Sequence, residues 1–139
     1  YVQEVQKLVE KAGERVKFTG YIENQKLYRY YQSADIQVIP SLWEEAAGLI
    51  AIEGMLSGLP LIITKSGGMI EYAPSNVAVW IDRDNIIPNL EAAIIQLADD
   101  KEKRKEMSEL SLEQAKEFPK KKFYEDYIEV FEHEGTRKR

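Results

Sequence analysis

The sequence predicts an α/β fold, a parallel sheet with helices on both faces. Three observations predict it. Segments with strand-like and helix-like patterning alternate along the chain, which calls for strand–helix–strand connections. The segment "LIIT" at 61–64 is apolar throughout, as a strand buried on both sides must be. Gly and Pro fall at the ends of these segments, at Gly13, Pro40, Gly58 and Pro60. Such a sheet is Rossmann-like, and its ligands bind outside the carboxyl ends of the strands.

The elements follow in order. Val2, Val5, Leu8, Val9 and Ala12 recur at helical spacing, with Gly13 as the stop. "RVKFTGYI" alternates and is rich in β-formers, so a strand ending near Gly20 is expected. "NQKLYRYYQSA" returns to helical period through Leu27, Tyr28, Tyr31 and Ala34. "DIQVIPS" reads as a short strand closed by Pro40. A helix is expected from Gly48 to Ser57, with Gly58 at C′ and Pro60 beyond it. "LIIT" is the next strand, "KSGGM" a loop and "VAVWID" the fourth strand. Three helices are expected to close the chain, at Pro88–Ala98, Lys101–Phe118 and Lys120–Glu134. The last carries Phe123, Tyr124, Tyr127, Ile128 and Phe131 on one face, a core stripe by its pattern. Residues 1–134 form one domain and 135–139 a polar tail.

Composition bounds the function. A chain of 139 residues is long enough for a real core, burying about 68–70% of its unfolded surface. A net charge of -5 argues against a nucleic-acid partner, because phosphate neutralisation needs clustered Lys and Arg. There is no cysteine, so disulfides and thiolate metal sites are excluded. The single histidine, His133, makes a Ser-His-Asp triad or a histidine metal cluster untenable, and no metal is expected. No apolar run reaches the ~20 residues of a membrane-spanning helix.

The most informative stretch is "WEEAAGLIAIEGMLSGLPLI" at 43–62. Glu53 stands in an apolar helix, where a buried carboxylate would be costly. Helical geometry puts it on a face with Leu49 and Ile50 and tilts it toward the helix start, from which the loop bearing Glu45 arrives. The first-turn N–H groups near Gly48, Leu49 and Ile50 lack intrahelical partners and suit an anion, and Gly48 admits a close approach. Two carboxylates beside a helix start suit a ligand with phosphates and hydroxyls, and a ligand diol could keep Glu53 inside. Structural readings stand beside this one. Glu45 could serve the helix dipole, and Glu53 could bond backbone amides. The glycines of "KSGGM" could make a plain turn, and "LYRYY" could be helix packing. "KKK" at 120–122 reads as a solvated helix start and "RKR" as a tail.

The stretch "IPSLWEEAAGLIAIEGMLSGLPLIIT" resembles the signature of the retaining glycosyltransferases of the GT-B fold, a group that includes lipopolysaccharide and capsule enzymes and sucrose and glycogen synthase relatives. Glu45 and Glu53 have the family's separation of seven intervening residues, and Gly48, Leu49, Gly58 and Pro60 fall in place. "LYRYYQSADIQVIPS" and "TKSGGMIEY" resemble the flanking family patterns, so the likeness runs from Val16 to Ile81. Two positions depart from it: Ala47 stands where an aromatic is usual, which would reshape the sugar pocket, and Gly54 replaces another small residue, a mild change.

The resemblance implies transfer of a sugar from a nucleotide-diphosphate sugar with retention of configuration, without metal or cofactor. Glu45 would hold donor-sugar hydroxyls and stabilise charge at the anomeric carbon. Glu53 would take the ribose hydroxyls. Backbone amides of Ala47, Gly48, Leu49 and Ile50 would face sugar and diphosphate. Gly20, Tyr21 and Ile22 would hold the base, and Ser66, Gly67 and Gly68 would line the rim. The chain would be the C-terminal, donor-binding half, without its first strands or the acceptor domain, and inactive alone. The crossing helix of the family would leave Tyr127, Ile128 and Phe131 partly exposed. A role in cell-surface polysaccharide synthesis is expected, in the cytoplasm or peripherally at the inner face of a membrane. The rival reading is a nucleotide-binding or interaction module without chemistry, a degenerate transferase domain. The G-x-G-x-x-G turn of dinucleotide binders is absent.

Overall fold

The computed structural model describes residues 2–44 and 48–118. It resolves into two compact units, residues 1–30 and 31–139, and the boundary falls inside a helix.

The first unit contains α1 (Val2–Ala12), a 3-10 turn (Gly13–Arg15), an extended segment and most of α2 (Asn24–Ser33). Gly13 ends α1 at φ +64°, a left-handed conformation that suits glycine. Within this unit Val5, Val9 and Ala12 are half-buried while Leu8 is exposed. The strand expected at "RVKFTGYI" does not form. Val16 and Phe18 are exposed, and no described strand pairs with this segment. Alternating side chains state a preference, but a strand exists only where its backbone groups find a partner. The described sheet therefore has three strands, not four.

The second unit carries that sheet: β1 (Gln37–Ile39), β2 (Leu61–Thr64) and β3 (Ala78–Ile81), in sequential order and parallel throughout. Central β2 is buried along its whole length. Its alternate side chains serve two cores. Leu61 and Ile63 pack with Ile39, Ala51, Met55 and Met69, whereas Ile62 packs with Ile81, Ala93, Leu97 and Met107. This is the expected sheet with helices on both faces.

The connecting helices match their patterns closely. α3 (Leu49–Leu56) buries Ala51, Gly54 and Met55, a stripe at i, i+3, i+4. It ends in a Schellman motif: Leu59 N–H donates to Gly54 C=O, Gly58 N–H to Met55 C=O, and Gly58 sits at φ +70°. After β2 comes a one-turn α4 (Met69–Tyr72), which takes the last residue of the expected "KSGGM" loop as its first. α5 (Ile86–Asp99) lies against β2 and β3. α6 (Lys101–Ala115) is capped by Asp100, whose carboxylate accepts from Lys103 N–H at 2.9 Å. It turns Met107, Ser111 and Ala115 inward and packs on α3. The helix expected at Lys120–Glu134 and its aromatic stripe lie outside the described residues.

Candidate functional site

Parallel strands deliver three loops to one rim: 40–44 after β1, 65–68 after β2 and 82–85 after β3. Side chains stitch these loops together. Thr64 Oγ1 donates to Ser41 C=O at 2.6 Å, and buried Ser66 donates to Trp43 C=O. The Glu44 carboxylate accepts the Gly67 N–H at 2.8 Å and pairs with the Arg83 guanidinium. Lys65 pairs with Asp82 at 2.8 Å. Ser66 and Gly67 therefore stand beside Trp43 and Glu44, and Gly68 follows them as the residue before α4. The Arg83 hydrogen bond, with help from the Gly67 amide and the Arg83 charge, holds the Glu44 carboxyl below the usual range.

Glu53 is where the structure most revises the expectation. Its residue is exposed, not kept inside. α3 is so apolar that it need bury only one stripe, leaving Leu49, Ile50, Glu53 and Leu56 outside. A carboxylate in an apolar run thus incurs no burial cost here. One of its oxygens accepts the Tyr31 hydroxyl at 3.0 Å. No other described side chain or backbone group donates to it.

Tyr31 sits near the end of α2 and is half-buried. Burial, then the Glu53 hydrogen bond and charge, push its hydroxyl up to about 12, against a smaller opposing pull from the Gln37 amide. Gln37, at the start of β1, is buried and donates Nε2–H to Ile50 C=O at 3.1 Å. Among the described residues its Oε1 has no hydrogen-bond partner. It lies against Gly54, where an added Cβ would come within 1.7 Å of that oxygen. The change at position 54 is therefore not mild in this chain, since only glycine leaves room for the amide.

Gly48 is buried at φ +50° and precedes α3, with Ala51 N–H donating to its carbonyl at 2.8 Å. A Cβ there would stand 2.5 Å from Met69 Cγ. Turn and packing both require this glycine, whatever approaches its backbone. Leu49 and Ile50, beside it, are exposed. Gly20, Tyr21 and Ile22 belong to the first unit, with Gly20 at φ +65° and Tyr21 90% exposed. Glu45 and Ala47 lie outside the described residues.

Sequence reasoning passed over Glu44, Arg83, Tyr31 and Gln37. Arg83 could have been found by treating "DRDN" as the loop after the last strand, with the same rank as the other two. Among the described residues no group of three or more His, Cys, Asp or Glu gathers as a metal site requires, and no helix is long and apolar enough to cross a membrane. A concavity of about 380 Å³ lined by Asn76, Ala78, Gln96, Lys103 and Met107 opens at the amino end of β3, away from the rim.

A parallel sheet with helices on both faces and polar loops gathered at its carboxyl rim defines a Rossmann-like α/β domain. Comparison with known proteins narrows the class. The family model "Glycosyl transferases group 1" matches residues 1–114, and the chain belongs to that family. It is 32% identical over 105 residues to the D-inositol 3-phosphate glycosyltransferase of Corynebacterium diphtheriae, covering 75% of this chain and 24% of that protein. It is 34% identical over 76 residues to the sulfoquinovosyl transferase of Arabidopsis thaliana, covering 55% of this chain and 14% of that one. The solved sucrose-phosphate synthase of Thermosynechococcus elongatus superposes with a TM-score of 0.80 at 26% identity, covering 94% of this chain and 34% of that chain. The chain thus spans only a minor part of the length of each of these relatives.

Proposed function

We propose that this chain binds the nucleotide-diphosphate sugar of a retaining glycosyl transfer. The single observation that carries the reading is Glu53, a carboxylate exposed on α3 and fixed by one hydroxyl, with acceptor capacity left for a ribose diol. Its place in a family of glycosyl transferases supplies the reaction class. In this reading Glu53 accepts both ribose hydroxyls. Glu45 accepts hydroxyls of the donor sugar and stabilises positive charge at its anomeric carbon. The amides of residues 47–50 face the diphosphate. The bond from anomeric carbon to phosphate oxygen breaks, and the acceptor oxygen bonds to that carbon on the same face. The acceptor's proton passes to the departing phosphate, so no metal or enzymic nucleophile is required. Residues outside this chain hold the acceptor, and the 139-residue chain alone does not turn over. The larger protein's task would be polysaccharide or lipopolysaccharide synthesis at the cell surface.

The test is calorimetric titration of the chain with UDP, GDP and ADP and their sugars. One nucleotide series should bind, and Glu53→Ala should weaken it about 10- to 150-fold, the worth of one charge-assisted contact. Absence of binding across the panel, or binding indifferent to Glu53→Ala, would sink the reading.

A further inference from the structure

We propose that Tyr31 is a positioning residue of this site: its hydroxyl holds the Glu53 carboxylate in one orientation for a ribose diol. The inference rests on the reading of Glu53 given above. An exposed glutamate on a helix samples several rotamers, and a ligand bound through it must freeze one of them. Here the freezing is done before any ligand arrives. Tyr31 comes from α2, 22 residues upstream of Glu53, and its hydroxyl meets Glu53 Oε2 at 3.0 Å. Tyrosine suits the task because its ring is rigid and its hydroxyl stays protonated, hence a donor, far above neutral pH.

Gln37 is the second observation. It is only 8% exposed, its Oε1 has no partner among the described residues, and Gly54 makes room for it. On stability grounds a volume-matched apolar side chain would serve better, because a buried amide oxygen without a donor is a net cost. Local rules are broken in this way where a site needs it. What the amide achieves is placement. Nε2 is anchored on Ile50 C=O at 3.1 Å, one turn before Glu53 on α3, so the buried strand is tied to the helix that carries Glu53. Tyr31 thus fixes the Glu53 side chain, and Gln37 fixes the helix turn before it.

The experiment titrates the chain and its variants with UDP, GDP and ADP, then with the 2′,3′-dideoxy form of whichever binds. Tyr31→Phe should weaken the ribonucleotide about 3- to 10-fold, the cost of freezing one side chain on binding, and leave the dideoxy form unchanged. Glu53→Ala should show the same selectivity more strongly, and the double variant should be no weaker than Glu53→Ala. Thermal midpoints monitor folding. If Tyr31→Phe weakens both nucleotides equally, or neither, the positioning role is overturned while Glu53's own selectivity stands. If Glu53→Ala does not distinguish ribose from dideoxyribose, or no nucleotide binds, the donor-site reading itself fails and takes this one with it.

Discussion

At the scale of the residue, Gln37 and Gly54 form a coupled pair. An added methyl at position 54 would overlap the Gln37 amide oxygen, which is itself buried. Gly54→Ala should therefore cost about 1–3 kcal/mol as an overpacked core site, despite alanine's better helix propensity. Gln37→Ala in the same chain should recover more than half of that loss, since the two substitutions share one space. Denaturant midpoints of the four variants form the cycle, and additive effects would contradict the overlap. Tyr31 offers a second residue-scale check. Its hydroxyl ionises at about 12 in the fold and near 10 when unfolded, so folding favours the protonated form. The stability this lends is full below about pH 10 and is lost as pH rises through 12. In an ultraviolet titration Tyr31→Phe should delete one late-ionising tyrosine; loss of an ordinary one would refute the buried, carboxylate-paired hydroxyl. Sequence alone singled out position 53 but not its solvation, because pattern says which residues are apolar and not how many of them the core needs. Tyr31 was legible only as helix packing, since its partner lies in another element.

At the scale of the element, α3 shows what local signals specify well. Its length, its Gly58 stop and the strand after Pro60 all followed from spacing, because capping is chemistry between near neighbours. The segment 16–23 shows the converse. It has strand composition and no strand, since pairing is a property of two segments and only one was read. The turn after α3 also carries tertiary weight. A Cβ on Gly58 would meet Leu112 Cγ and Ser108 Oγ of α6, each at 3.3 Å, in addition to the strain of φ +70°. Gly58→Ala should destabilise by about 1–2 kcal/mol from backbone strain alone, and more if α6 must shift. Ser111 secures the same junction: fully buried, it donates to Leu59 C=O at 2.9 Å. Ser111→Ala would strand that carbonyl at a cost of about 1–3 kcal/mol, whereas Leu112→Ala on the exposed side should cost far less. Chemical denaturation ranks the three. A Ser111→Ala midpoint equal to wild type would show that the junction does not depend on this bond.

At the scale of the whole second unit, the rim works as one object because Glu44 joins loops that each strand delivers separately. Residues 41–44 come from β1, Gly67 from β2 and Arg83 from β3, and the Glu44 carboxylate touches the last two. The exposed pair should add little to global stability, because surface ion pairs are screened by solvent. Its effect belongs to loop order, and its pH dependence has a definite sign. The folded carboxyl titrates below the usual range, so the link is intact above that range and is lost as pH falls through the folded value. The Gly67 amide proton reports the link directly, since it donates to Glu44 at 2.8 Å. Followed by NMR, its shift should titrate below the ordinary carboxylate range in wild type. In Arg83→Gln the midpoint should move up toward that range, because the guanidinium bond is the largest cause of the depression. In Glu44→Gln the titration should vanish. If Gly67 titrates at an ordinary carboxylate value and ignores Arg83→Gln, then the three loops are not joined at Glu44. The rim would then be held by Thr64 and Ser66, which join the first two loops, and by the Lys65–Asp82 pair, which joins the second and third.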